Sequence, residues 1–130
     1  MAYEQPLFVL AGLKAGADLS AKQFRFVKLD ASGDAVVCSG VTDIPIGVLQ
    51  NKPTSGQAVE VMAIGISKVE GDADLAIGDM IGTSADGQAA AYVAGTDTTK
   101  YVVGRVLTEN SAAAGLISAL VNCMNPHRGA

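Results

Sequence analysis

The sequence has no tryptophan and a single histidine, and aromatic residues make up 5% of it. A sugar-cleaving cleft pairs carboxylates with aromatic platforms, and six aromatic side chains spread over 130 residues furnish a poor platform. The lone His127 stands in a Pro-containing terminal stretch, residues 124–130, which reads as a short flexible tail. A Ser-His-Asp or Cys-His site would have to be built around that tail, and neither Ser nor Cys lies in a recognisable nucleophile turn. Enzymatic activity is therefore not expected.

Positive charge is also sparse. Nine Lys and Arg residues are scattered from Lys14 to Arg128 without forming a run, and the net charge is −4. Phosphate backbones and anionic lipid surfaces both call for clustered cations, so neither a nucleic acid nor a membrane is an expected partner. The apolar stretch at residues 7–13 is too short to span a bilayer and has no basic residue before it, so no export signal is read there. The two cysteines, Cys38 and Cys123, are expected to remain thiols in a reducing cytoplasm and to serve as small hydrophobes within strands.

Other sites fail on spacing. Asp72, Asp74 and Asp79 form the densest acidic group, but a calcium loop begun at Asp72 would place Ile77 where glycine is required and Thr83 where the bidentate glutamate belongs. These acids read as solvated turn carboxylates. Glycine is plentiful, yet no Gly-Lys-Ser/Thr phosphate loop or dinucleotide fingerprint occurs. No cofactor and no metal are expected.

What is present is small and aliphatic. Hydrophobic residues reach 49%, mostly Ala, Val, Ile and Leu, and 15 glycines stand against 17% charged residues. One domain of this length can bury roughly two-thirds of the surface its unfolded chain exposes. Alternation and turn residues mark short strands at residues 23–29, 35–39, 44–50, 58–69, 79–84, 88–93, 101–108 and 116–123. Turn chemistry falls at Ser32, Gly33 and Asp34 and at Asp86 and Gly87, residues 70–77 read as a crossing loop, and Pro45 marks an edge or a strand start. Gly65 marks a bend or bulge. Ser20 to Gln23 matches a capping box that allows a helical turn or two. The expected fold is all-β, a small antiparallel barrel or sandwich of about eight short strands with at most one short helix. Residues 1–16 form an N-terminal extended segment or arm, residues 17–123 the β domain and residues 124–130 the tail.

Two strands, residues 58–66 and 116–123, are apolar on both faces, whereas a sheet with one solvated face alternates cleanly. Either some of the second face needs covering, by neighbouring copies or by another protein, or its Ala and Gly residues tolerate exposure and nothing covers it; cover is the expected reading.

The order of segments is similar to a known family. Ala17-Asp18-Leu19-Ser20 leads into Phe24-Arg25-Phe26-Val27-Lys28-Leu29, followed by Pro45-Ile46-Gly47-Val48-Leu49-Gln50, Gly56-Gln57-Ala58-Val59-Glu60-Val61 and Gly78-Asp79-Met80-Ile81-Gly82. Together these resemble the capsid cement, or head decoration, proteins of tailed bacteriophages, over about residues 5 to 122. The motifs are those of turns and strands, and none is catalytic. The resemblance implies a protein made in the host bacterial cytoplasm that docks on the outer surface of the assembled virion head. It would act without a cofactor, commonly as a homotrimer, and reinforce contacts between major capsid protein subunits. Tyr3, Pro6, Leu7 and Phe8 are then capsid-contact candidates on an N-terminal arm, the other reading of that segment being a first strand of the domain. The rival function is a virion-displayed adhesion or host-recognition module. That would need aromatic or polar loop tips, and the loops at residues 84–87 and 109–115 are small and bland.

Overall fold

Turn residues set the hairpins of this all-β chain. In the computed structural model, which describes residues 2–109 and 112–128, Gly33 and Gly87 adopt φ of 81° and 79°. That left-handed region favours glycine. Asp30 Oδ1 accepts the amides of Ser32 and Asp34 around the first turn, and Ser84 Oγ accepts those of Asp86 and Gln88 around the second. The strands are β1 (Gln5–Lys14), β2 (Phe26–Leu29), β3 (Ala35–Val37), β4 (Gly47–Leu49), β5 (Ala58–Glu70) and β6 (Met80–Thr83). They continue with β7 (Ala89–Ala91), β8 (Tyr101–Val102), β9 (Gly104–Val106), β10 (Leu116–Asn122) and β11 (His127–Arg128). Nine form one antiparallel sheet ordered β3-β2-β4-β5-β10-β9-β6-β7, with β1 also paired to β5, and β8 pairs with β11 in a small second sheet.

No helix occurs among the described residues. At the capping-box sequence, Asp18 rather than Ser20 caps the turn, accepting the Ser20 amide at 3.0 Å. The Gln23 side chain donates to the Gln50 carbonyl instead of reaching back, and Phe24 at φ 66° leaves helical space altogether. The sequence-predicted strand at residues 101–108 divides at Val103. Tyr101 and Val102 pair with Arg128 and His127, whereas β9 pairs with β10 and β6. Residues 110 and 111, inside the loop at 109–115, and the last two residues of the tail lie outside the described residues.

Alternation along β2 and β4 feeds two cores on opposite faces of the sheet. Phe26 and Val48 enter the larger one, with Ile81, Ile117 and Val121. Val27 and Leu49 enter a smaller one, closed by Leu19 and Ala15 from the segment after β1. A bulge in β5 links the two. Phe8 pairs with Ile64 and Val9 with Met62, so Ala63 is the extra residue. Before it, Val59 and Val61 face the small core; beyond it, Val69, also at an odd position, faces the large one. One inserted residue therefore exchanges the faces of the strand. The sequence marks a bend or bulge at Gly65, and a register shift against β1 does fall there, between the pairs Pro6–Gly65 and Phe8–Ile64, where Gly65 also lets the backbone of β1 approach closely. The shift that exchanges the faces, at Ala63, lies two residues earlier.

Cys38 and Cys123 are both buried in the larger core, each just beyond the end of a strand. Burial pushes both thiols up to about 12. Reaction with a disulfide reagent needs the thiolate and access, and the native protein supplies neither. At pH 8 both thiols are expected to resist the reagent in the folded protein and to react at once in ~6 M guanidinium, a concentration that unfolds most domains; rapid native labelling of either would contradict this packing.

Candidate docking surface

The β5 bulge decides what the outer face of the sheet carries. Because the faces exchange at Ala63, Ile64, Ile66 and Lys68 continue the face on which Val59 and Val61 line the small core. Directly paired residues share a face, so one row runs across five strands: Gln5 of β1, Ile66 of β5, Leu120 of β10, Arg105 of β9 and Met80 of β6. Phe8 lies beside Ile64 in the next row. At the small-core end this face is covered by the chain itself. At the other end, Leu120 is 48% and Met80 47% exposed. The expected need for cover on a two-faced apolar sheet is thus met internally at one end and remains open at the other.

One polar residue on this open half is fully buried. Ser118 stands between Leu116 and Leu120 on the same side of β10, yet it is inaccessible to solvent because the N-terminal segment crosses it. The Tyr3 amide donates to Ser118 Oγ, the hydroxyl donates back to the Tyr3 carbonyl at 2.6 Å, and the Ser118 amide is satisfied by Thr108 Oγ1. A buried hydroxyl needs such partners.

The four sequence-nominated residues divide accordingly. Tyr3 clips the segment to β10 through its backbone; Pro6 pairs with Gly65, Phe8 with Ile64, and Leu7 between them is 78% exposed. Nearly all of β1 is exposed on its faces, although it is hydrogen-bonded along β5. Pro6 and the register shifts at Phe8, Val9 and beyond Leu10 make its free edge irregular. Sequence reasoning missed Leu120, Met80 and Met124, all exposed. The two-faced apolar pattern of residues 116–123 is the available signal for Leu120. Met80 gives none, because its place depends on the pairing of β6 with β9.

Charges on this face are unusual for an acidic protein. Arg105 projects from the middle of the apolar row, and the Lys68 ammonium lies 5.8 Å from the centre of the Phe24 ring. Glu70, farther along β5, is held by Arg25 at 2.5 Å and by Gln88. Beside Arg105 runs a shallow groove of about 230 Å³ between Met80, Leu120, Asn122 and Asn125. Among the described residues, no three His, Cys, Asp or Glu side chains come together as a metal site. Asp79 Oδ2 accepts the Ala76 amide as a turn cap, and burial raises the Asp72 pKa above the ordinary carboxylate range.

The architecture is that of an all-β domain built on a long bulged central strand, with an apolar outer face left partly open. No family model and no curated protein matches the sequence. Among solved structures, the N base of the head fiber protein gp8.5 of bacteriophage phi29 has the same fold. The TM-score is 0.67 at 16% sequence identity, over 89% of this chain and 96% of that one.

Proposed function

We propose that the chain is a structural virion protein that binds the outer surface of an assembled phage head, as a homo-oligomer, and reinforces contacts between major capsid protein subunits. The observation that carries this reading is the fold shared with a phage head fiber base over nearly the whole of both chains. The order of segments, which resembles that of capsid cement proteins, is in keeping with this reading. Each copy would make modest contacts to more than one capsid subunit, and oligomerisation would raise the effective concentration of the remaining contacts. Because such a protein binds the assembled head and not its separated subunits, it stabilises the assembled state by mass action.

The test is to mix the purified protein with undecorated heads of the phage that encodes it. Saturable co-sedimentation and an upward shift in the temperature at which heads release DNA are the expected results. Failure to associate at micromolar concentration would defeat the proposal, and association without any gain in head stability would favour a display role such as adhesion.

A further inference from the structure

We infer that the protein docks through the outer sheet face centred on Leu120, Met80 and Arg105, and that the surface it meets is apolar with a carboxylate facing Arg105. This rests on the proposed function and deepens it by naming the face and the chemistry of its partner. Two other surfaces compete. The free edge of β1 is long and apolar, but Pro6 lacks a donor and successive register shifts interrupt the regular spacing that an added strand would need. The second is the other side of β1, where Val9 stands beside Met62 and a shallow depression is bordered by Glu4 and Glu60. Two carboxylates there oppose the approach of another acidic protein.

The outer face has neither defect. Its row from Ile66 through Leu120 to Met80 lies on continuously paired strands, a rigid platform on which side-chain positions are fixed by the ladder. Phe8 extends the apolar area at one side, and Asn122 and Asn125 give the groove a polar rim. Its charge identifies the partner. In a chain of net charge −4, this face carries Arg105 and Lys68, while its carboxylate Glu70 is already engaged by Arg25. Two copies meeting face to face about a two-fold axis would bring Arg105 and Lys68 of both copies into one interface while Glu70 is held by Arg25, which disfavours self-association through this face. A surface that supplies a carboxylate pairs with Arg105 inside an apolar ring, where water exclusion strengthens the contact.

Four proteins separate the possibilities in the head co-sedimentation assay: wild type, Leu120→Asp, Arg105→Glu and, as a control on the distant loop after β3, Val41→Asp. Leu120→Asp is expected to weaken association at least tenfold and Arg105→Glu several-fold. Val41→Asp should bind as wild type, and wild-type binding should weaken as salt is raised from about 50 to about 500 mM, a range that shortens the screening length severalfold. Arg105 is an exposed position, so its variant keeps the fold, and circular dichroism with sedimentation analysis verifies this for all four. Wild-type association that survives both Leu120→Asp and Arg105→Glu overturns the face assignment while leaving the proposed function standing. Dissociation of the oligomer by either variant overturns it too, by making the face a contact between copies. Absence of binding by wild type defeats the functional reading itself.

Discussion

Replacing Phe26 with alanine is expected to lower the unfolding free energy by about 3–5 kcal/mol, a large share of the roughly 5–15 kcal/mol typical of a domain. Phe26 is the largest of the fully buried side chains and stands in a chain with few other aromatic rings. Its backbone binds two neighbours as well: its amide donates to Gly87 at 2.7 Å, and its carbonyl accepts the Cys38 amide at 3.0 Å. The remaining members of the large core are mainly Val, Ile, Ala and Cys, whose short side chains cannot rotate far enough to fill the space of a lost ring. The cavity would therefore persist. Urea titration should show a lower midpoint with an unchanged slope, whereas Leu29→Ala, at an exposed position three residues away, should stay within about 0.5 kcal/mol of wild type. A Phe26→Ala cost below about 1 kcal/mol would mean that this ring does not anchor the larger core.

Phe26 is legible as a strand residue from alternation alone, but the core it enters is not. Alternation locates β2, β5, β6 and β10, and the Gly33 and Gly87 turns are readable because only a few residue types accept their backbone geometry. The crossing loop after residue 70 also falls where composition places it. Pairing leaves no such trace. Phe26 and Val27 are adjacent apolar residues, and nothing in their identity says that each faces a separate core. The bulge at Ala63 is equally silent, since alanine has no special bulge chemistry. Yet that one residue determines that Ile66 points outward and Val69 inward. The excess of apolar surface is evident in residues 58–66 and 116–123, while its location depends on register. For the same reason Tyr3, Pro6, Leu7 and Phe8 can be nominated from sequence but not placed: the residues they meet, Gly65, Ile64 and Ser118, are distant along the chain.

Gly65→Val is expected to detach β1 from the sheet while most of the domain stays folded. Gly65 has φ of 140°, a conformation L side chains rarely adopt, and an added Cβ would meet the Gln5 carbonyl oxygen and the Leu7 amide nitrogen, each at 2.8 Å. Both obstacles are backbone atoms of β1, so no side-chain rotation relieves the contact. Strain at such a position costs on the order of 1–3 kcal/mol, and displacing the strand gives up its ladder hydrogen bonds. The weaker partner should yield: β5 is held by β4 and β10 as well, whereas among the described residues β1 is paired to β5 alone, and it is exposed along nearly its whole length. Hydrogen exchange should accelerate at the amides of residues 5–14 and remain slow in β10, and limited proteolysis should acquire a new cleavage near Leu7. Unchanged protection of β1 would show that the strand accommodates the new side chain and that Gly65 is not needed for the close approach. The same variant divides the two readings of the N-terminal segment. If residues 3–10 act as a free arm, releasing them preserves association with heads. If Phe8 contributes as part of a fixed outer face, release removes it from beside Ile64, loosens the Tyr3 clip on Ser118 and weakens association, as docking through the Leu120 face requires.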